Sequence, residues 1–214
     1  AELLAASPPA AVLTGGGSVK RPVLAAWRHR PPRFVASHPM AGTALAGVEA
    51  GTPNLFCGRP WIATPDGDTD PSALATVKDL AVSLGSHWLT ASASQHDQAV
   101  ALISHMPVLV SAALLRAVGD ERDPEIRQLA TALASSGFAD TSRVGGGNPD
   151  LGVAMASSNR DAVLRVLAAY RWSLEQLEDA VLQENWSQLH VELKRTQALR
   201  PDFLQPLGDI NAEN

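Results

Sequence analysis

The sequence changes character near residue 92, and this change limits the folds that the chain can adopt. In about the first ninety residues, Pro and Gly interrupt short apolar runs, which is typical of strands and loops. From Ser94 onward no strand pattern recurs, and apolar residues follow helical spacing over long segments. We therefore expect a front part that contains strands and a back part that is helical.

Four short apolar runs in the front part predict strands, because turn residues bound each of them and none is long enough for a helix. These runs are 10–14 (AAVLT), 33–37 (RFVAS), 61–65 (WIATP) and 87–91 (HWLTA). Between the last two, Asp70 suits the N-cap of a helix, Pro71 its first position and Gly85 its end. Strand, helix and strand in this order predict a parallel sheet.

The back part predicts three long helical segments, at about 94–118, 123–135 and 159–198, with a break in the last near Asn185. Asp123-Pro124 and Asn148-Pro149 each predict a helix start, with the first residue as N-cap and the proline at the first helical position. Pro107 lies inside the first segment and is expected to kink it. The last segment carries an apolar seam at alternating spacings of four and three residues, formed by Val163, Leu167, Tyr170, Leu174, Leu177 and Val181. Such a seam packs on another helix, either within this chain or in a second subunit.

Charge and cysteine content exclude several classes of function. The net charge of −5 argues against nucleic acid or an anionic membrane as a main partner. Cys57 is the only cysteine, so an internal disulfide framework and a cysteine-based zinc site are excluded. No run of about 18 apolar residues stands out and the first residues lack the charged start of a signal peptide, so we expect a soluble cytoplasmic protein without a membrane span.

Two glycine clusters, at 14–20 (TGGGSVK) and 144–150 (VGGGNPD), invite a phosphate-binding interpretation. Neither matches the dinucleotide pattern G-x-G-x-x-G or the triphosphate pattern G-x-x-x-x-G-K-[ST]. The spacing of their glycines, without a match to either motif, is typical of structural turns. The first cluster follows a predicted strand, and open α/β sheets place ligand-binding loops at that position.

His38 ends the predicted strand 33–37 and is the first candidate for catalysis. Imidazole titrates near neutral pH, so a histidine at the carboxyl edge of a sheet suits a general base. Pro39 keeps His38 extended, and Gly42 allows the backbone to pass close to a ligand. The alternative is a histidine that is simply hydrogen-bonded in a turn.

Other polar residues of the back part are weaker candidates. His96 and His105 are nine residues apart, two and a half helical turns, so we expect them on opposite faces of one helix, where they cannot share a metal. Ser104 and His105 precede the kink at Pro107 and suit either a site or a polar pair in the core. Arg143 is expected in a loop between helices, where a guanidinium can clamp a carboxylate or merely face solvent.

Five motifs, taken together, resemble the prephenate and arogenate dehydrogenase family, with the cyanobacterial arogenate dehydrogenases as the most similar group. The resemblance covers about residues 10–200, and the motifs follow the family's order and approximate distances. They are GGGSVK, SHPMAGT, NLFCGRPWIATP, HDQAVALISHMPVLVSAAL and ASSGFADTSRVGGGNPDLG. Their combination is far more specific than any single motif.

The resemblance implies an NAD(P)-dependent oxidative decarboxylation in tyrosine biosynthesis by a homodimer that is joined through its helical domain. His38 matches the family's catalytic histidine, which accepts the hydroxyl proton as hydride leaves the substrate. Ser18 matches a residue that hydrogen-bonds near the reacting hydroxyl. Arg143 matches the partner of a substrate carboxylate, and Ser104 matches a helix position near the substrate.

The resemblance also implies the fold class and its division. The expected fold is an α/β remnant of a Rossmann-type domain, namely the last strands of its sheet, followed by an all-α dimerisation domain. We place the first at 1–92 and the second, which binds substrate and dimerises, at 93–214. Because the glycine fingerprint of the family is absent, the sequence is interpreted as truncated at its N-terminus, and the cofactor can be NADP or NAD.

Two positions bear on the substrate. Prephenate-specific members commonly carry an acidic residue just after the HPMAGT match and a second histidine after the SHMP match, where this chain has Ala44 and Val108. The pattern favours arogenate over prephenate. The alternatives to an arogenate dehydrogenase are a prephenate dehydrogenase and a non-catalytic dimerisation or ligand-binding module that holds no cofactor.

Overall fold

The computed structural model describes residues 7–8, 10–27, 31, 33–42 and 51–204. The chain forms two compact units, one of Ala1–Ala93 with Ala168–Asn214 and one of Ser94–Leu167. The division into domains at residue 92 stays a prediction.

A four-stranded sheet forms the centre of the first unit. Its strands are β1 (Leu13–Gly15), β2 (Phe34–Pro39), β3 (Pro60–Ala63) and β4 (His87–Thr90), in the order β1-β2-β3-β4. Each of the four predicted strands overlaps an observed one. The parallel pairing predicted across the strand, helix and strand segment is confirmed for β3 and β4, and β1 and β2 are also parallel. The pairing of β2 with β3 is antiparallel, so the sheet is mixed rather than purely parallel.

Two helices, α1 (Arg21–Ala26) and α2 (Pro71–Ser83), accompany the sheet. The predicted boundaries of α2 are confirmed, because Asp70 accepts a hydrogen bond from the Ala73 N–H at 2.9 Å and Gly85 has a φ of +76°. The buried face of α2 packs on side chains of the sheet. This core consists of Val35, Trp61, Ala63, Ala73, Val77, Ala81 and Trp88.

The back part is helical throughout the described residues. Its elements are α3 (Ala93–Val100), a π-helical turn (Ala101–His105), α4 (Met106–Gly119), α5 (Pro124–Leu133), α6 (Ser136–Ser142), a 3-10 turn (Arg143–Gly146), α7 (Pro149–Ser158), α8 (Arg160–Leu182), α9 (Trp186–Leu199) and a second 3-10 turn (Arg200–Phe203). The predicted break near Asn185 is confirmed. The helices α6 and α7 lie outside the three predicted segments, although Asn148 and Pro149 mark the start of α7 as expected.

The predicted disturbance at Pro107 takes the form of the π-helical turn. Pro107 has no N–H and cannot continue the hydrogen-bond ladder of an α-helix. The N–H of Met106, just before it, donates to the carbonyl of Ala101, five residues earlier. A π-helical turn contains one more residue than an α-helical turn, so every residue before it is rotated relative to those after it.

The uninterrupted helical stretch Ala93–Gly119 is long and apolar enough to cross a membrane by length and composition alone. The expectation that no segment meets this criterion was therefore wrong. Core helices of folded proteins pass the same test. In this stretch His96, Asp97 and His105 are buried and hydrogen-bonded, although only 22% of its apolar 18-residue window is buried.

Candidate functional site

His38 and the loop that carries Ser18 lie at one edge of the sheet. Because β1 and β2 are parallel, their carboxyl ends meet at this edge. The loop follows β1 and passes close to the end of β2, since a Cβ on Gly16 would lie 3.8 Å from Pro39 Cδ. Ser18 and His38 are both half-buried. The structure thus places two of the four predicted site residues at the same edge of the sheet.

The residue before His38 is held from several sides. The Ser37 hydroxyl accepts a hydrogen bond from the Trp61 indole N–H at 3.0 Å and lies 2.8 Å from the Thr14 hydroxyl. The Lys20 ammonium donates to the Ser37 carbonyl. Ser37 is fully buried and Lys20 is 1% exposed. These contacts fix the backbone from which the His38 side chain extends.

Lys20 also belongs to this edge, although the sequence did not indicate that its side chain is buried there. A lysine side chain is rarely buried unless its charge is solvated by polar partners. Lys20 is the last residue of the GGGSVK motif, and that position was the available signal. Its burial follows from the parallel pairing of β1 and β2, because this pairing brings the start of α1 next to the carbonyl of Ser37.

The other two predicted site residues, Arg143 and Ser104, lie in the second unit. Arg143 opens the 3-10 turn after α6 and is exposed, so the predicted loop is in fact a short helix. Ser104 lies in the π-helical turn and is half-buried. The 3-10 turn packs on α4, the helix that follows the π-helical turn.

Val108 lines a pocket of about 290 Å³ formed by α4, the 3-10 turn and α7. Most of the other side chains in its wall are apolar and include Leu109, Val144, Leu151, Val153 and Met155. Val108 therefore presents no hydrogen-bonding group to this space. Ala44, the other position that bears on the substrate, lies outside the described residues.

Four polar side chains form a buried cluster in the second unit. The His96 Nδ1 lies 2.8 Å from Asp97 Oδ1, and the Asn159 amide donates to the Asp97 carbonyl at 2.7 Å. The same amide nitrogen lies 3.3 Å from His105 Nδ1. The placement of His96 and His105 on opposite faces was wrong, because the intervening π-helical turn rotates one histidine relative to the other. In the described part of the chain, no group of three or more His, Cys, Asp or Glu side chains is arranged to hold a metal ion.

The geometry defines the protonation of His105. An amide nitrogen only donates, so this contact makes His105 Nδ1 an acceptor and places the proton of the neutral ring on Nε2, a buried atom for which the described residues supply no hydrogen-bond partner. Burial lowers the pKa of His105 below its usual value of 6.5, and the neighbouring His96 lowers it further, whereas the Asp97 carboxylate acts in the opposite direction. The folded protein therefore favours a neutral His105.

This cluster predicts a decrease in stability at mildly acidic pH. As the pH falls below about 6.5, His105 binds a proton in the unfolded chain more readily than in the folded one, so the free energy of unfolding decreases. The decrease ends once the pH lies below the lowered pKa. Urea unfolding measured between pH 8 and pH 5 checks this expectation.

A pair of variants isolates the contribution of His105. His105→Asn keeps an acceptor near Asn159 but removes the titration, so the decrease below about pH 6.5 should become smaller than in the wild type. His190→Asn makes the same change at an exposed histidine of α9 and should leave the pH dependence nearly unaltered. Equal pH dependence in the wild type and His105→Asn would contradict the assignment.

Two family models match nearly the whole chain. The model described as prephenate dehydrogenase, nucleotide-binding domain, matches residues 2–90. The model described as prephenate dehydrogenase, dimerization domain, matches residues 92–195.

Curated relatives agree with these matches. The chain is 31% identical to a cyclohexadienyl dehydrogenase of Zymomonas mobilis over 88% of this chain and 65% of the relative. It is 29% identical to a prephenate dehydrogenase of Bacillus subtilis over 94% of this chain and 55% of the relative. The chain thus spans between about half and two thirds of the length of these two relatives.

Solved structures include two informative neighbours. The arogenate dehydrogenase of Synechocystis is 42% identical, with a TM-score of 0.82 over 95% of this chain and 73% of that one. The prephenate dehydrogenase of A. aeolicus, solved in complex with hydroxyphenyl propionate and NAD+, is 28% identical, with a TM-score of 0.84 over 92% of this chain and 68% of that one.

Proposed function

The chain belongs to the prephenate dehydrogenase family, and from this we propose that the protein is an arogenate dehydrogenase that oxidatively decarboxylates arogenate to tyrosine. The relatives that it matches are dehydrogenases. The expected fold class, strands of a Rossmann-type sheet followed by an all-α dimerisation domain, is confirmed by the observed sheet, the helical back part and the two family models.

The observation that carries the proposal is the position of His38. It lies at the carboxyl edge of the parallel pair β1 and β2, beside the loop of Ser18, where α/β sheets bind their ligands. Its backbone is fixed through the buried Ser37. An imidazole held in this way suits a general base that takes a proton from a substrate hydroxyl.

The proposed reaction gives each residue one role. His38 accepts the proton of the ring hydroxyl while hydride leaves the ring carbon that bears this hydroxyl. The bond between the ring and its carboxylate then breaks to release carbon dioxide. The electrons of that bond complete the aromatic ring, and the phenolate oxygen that results takes the proton back from His38 to give the phenol of tyrosine. Ser18 hydrogen-bonds near the reacting hydroxyl, Arg143 pairs with a substrate carboxylate and Ser104 contacts the substrate from the π-helical turn.

A nicotinamide cofactor, NAD or NADP, accepts the hydride in this proposal. The chain's residues fit such a group at the carboxyl end of β1, where space is open at Gly17, since a Cβ there would meet no atom within 4 Å, whereas Gly15 and Gly16 pack against Phe34 and Pro39. Backbone that passes close to a ligand is the usual reason for glycines at this position. These residues would border the cofactor and leave His38 facing the substrate.

Val108 supports arogenate as the substrate. Its side chain is apolar and half-buried, at the position where prephenate-specific members commonly have a histidine. Arogenate carries an amine where prephenate carries a keto group, and an apolar side chain leaves no donor aimed at a keto oxygen. The high identity to an arogenate dehydrogenase structure is in line with this choice.

We further propose that the protein is a homodimer. Along α8 the predicted apolar seam is buried at Val163 but exposed further on, where Tyr170, Leu174 and Val181 are 36%, 50% and 50% exposed. An exposed apolar seam of this kind is typical of a helix that packs on a second copy. The location in the cytoplasm stays a prediction.

Substrate oxidation by the full-length gene product tests the proposal. Arogenate and prephenate are each offered with NAD and with NADP, and reduced cofactor is followed by its absorbance. We expect kcat/KM for arogenate to exceed that for prephenate by at least about tenfold, which is about 1.4 kcal/mol of transition-state stabilisation.

Three other outcomes are informative. A higher kcat/KM for prephenate would show that Val108 does not determine the substrate and would identify a prephenate dehydrogenase. Binding of tyrosine by calorimetry without oxidation of either substrate would support the non-catalytic binding module instead. Neither binding nor oxidation would refute both functions.

A further inference from the structure

The 3-10 turn that begins at Arg143 is attached to α4 by one buried hydroxyl. Ser111 of α4 is 3% exposed. Its hydroxyl donates to the carbonyl of Thr141 at 2.9 Å and accepts from the N–H of Gly145, also at 2.9 Å. Thr141 and Gly145 each lie two residues from Arg143, one before it and one after it. A single oxygen atom therefore forms hydrogen bonds with the backbone on both sides of Arg143.

The turn and α4 also approach each other closely at Gly145. A Cβ added at Gly145 would lie 2.3 Å from the Ala112 nitrogen and 2.7 Å from the Ser111 carbonyl oxygen. Real Cβ atoms essentially never come so near to other atoms. Backbone packs directly on backbone here, and the Ser111 hydroxyl supplies the hydrogen bonds that this contact needs.

Among the described residues, no side chain or backbone group forms a hydrogen bond or an ion pair with the Arg143 guanidinium. Its side chain is exposed, and a free arginine side chain samples many rotamers. A bidentate bond to a carboxylate requires the planar guanidinium in one orientation. That orientation depends on the backbone of the turn, because the side chain starts from it.

We propose that Ser111 is a positioning residue for Arg143. Its hydroxyl holds the 3-10 turn on α4 so that the guanidinium is presented to the substrate carboxylate with little loss of conformational freedom on binding. Ser111 itself touches neither substrate nor cofactor in this proposal. The inference rests on the proposed function, which pairs Arg143 with a substrate carboxylate. That carboxylate is taken to be the amino-acid carboxylate, which arogenate and tyrosine share.

The test is Ser111→Ala in the full-length gene product. We expect KM for the substrate to rise by about tenfold while kcat changes by less than about twofold, since loss of an interaction made equally in ground and transition states raises KM alone. In an Arg143→Ala background, adding Ser111→Ala should leave KM unchanged, because the residue that it positions is gone.

Thr141→Ala is the matched control. The Thr141 hydroxyl donates only within α6, to the Gly137 carbonyl at 2.8 Å, whereas Ser111 uses the Thr141 backbone. This variant removes a hydroxyl from the same turn and leaves the bonds of Ser111 intact, so its KM should remain within about twofold of the wild type. Thermal unfolding of each variant confirms that it is folded.

A second pair decides the question if Ser111→Ala does not fold. Ser111→Thr and Ser111→Val have the same shape and differ only in the hydroxyl, so Ser111→Thr should retain a KM that is several-fold lower than that of Ser111→Val. Equal KM values for the two would refute the proposal. So would a full additional rise in KM when Ser111→Ala is combined with Arg143→Ala.

Failure of the proposed function would look different. If the wild type oxidises neither substrate, the binding of tyrosine is measured by calorimetry for the wild type, Ser111→Ala and Arg143→Ala. Weaker binding in both variants, without further weakening in the double variant, upholds the positioning role. Wild-type binding by Ser111→Ala, or no dependence of tyrosine binding on Arg143, overturns it.

Discussion

Replacement of His38 by Asn is expected to lower kcat by about 10³-fold, within the range of 10²–10⁴ typical of general acid or base catalysis. Asn keeps a polar side chain of similar reach but cannot accept a proton. Since the His38 backbone is held through Ser37 by Lys20 and Trp61, the substitution should leave the local structure in place. The measurement is steady-state turnover of arogenate at saturating cofactor.

A matched control separates catalysis from packing. His87→Asn changes another half-buried histidine of the same unit, at the start of β4, and should retain kcat within about threefold. The thermal midpoints of the His38 and His87 variants should both lie near that of the wild type. A stable His38→Asn variant with wild-type kcat would show that the proton is taken by another group.

Gly145→Ala is expected to destabilise the second unit strongly. The added Cβ would lie 2.3 Å from the Ala112 nitrogen and 2.4 Å from the Ser111 carbonyl carbon, so the turn or α4 must move. Overpacking typically costs about 1–3 kcal/mol, and because the added Cβ meets backbone that cannot rotate away, we expect the upper end, about 3 kcal/mol. For a chain of this size, the thermal midpoint should fall by roughly 6–12 °C, measured by circular dichroism.

The neighbouring glycine provides the control. A Cβ at Gly146 would meet only the flexible end of Leu115, at 3.9 Å, which is an ordinary contact. Gly146→Ala should therefore shift the thermal midpoint by no more than about 2 °C. Equal thermal midpoints for Gly145→Ala and Gly146→Ala would contradict the close approach of Gly145 to the backbone of α4.

Local rules of sequence predicted much of the fold. Each predicted strand overlaps an observed one, and the cap and proline pairs at Asp70, Asp123 and Asn148 each begin a helix. These features depend on residues within a few positions of one another. His38 and Ser18 lie on the strand and the loop that the sequence predicted. Arg143 lies in a 3-10 turn where a loop was predicted, and Ser104 lies in a π-helical turn within the predicted helix.

The buried cluster of the second unit was not predictable in the same way. His96 and His105 lie on opposite faces of any uniform α-helix, and only the insertion of a π-helical turn changes that relation. Pro107 indicated a disturbance but did not indicate its form. Asn159, more than fifty residues away along the chain, completes the cluster by binding the Asp97 carbonyl.

The glycine cluster at 144–150 and Lys20 also have tertiary contacts that the sequence alone did not predict. Spacing alone classified 144–150 as a structural turn and could not reveal that Gly145 lies against the backbone of α4 or that Ser111 bonds both sides of Arg143. Lys20 likewise became a buried partner of Ser37 only through the pairing of β1 with β2.

The sequence of this protein was sufficient for its family, its strands, its helix starts and the types of side chain available for chemistry, because short-range sterics, capping and hydrophobic period act over a few residues. The antiparallel pairing of β2 with β3, the burial of Lys20, the histidine cluster and the attachment of the Arg143 turn arose from contacts between distant segments. Such contacts depend on how elements pack, and close packing between segments has no local signature in a single sequence.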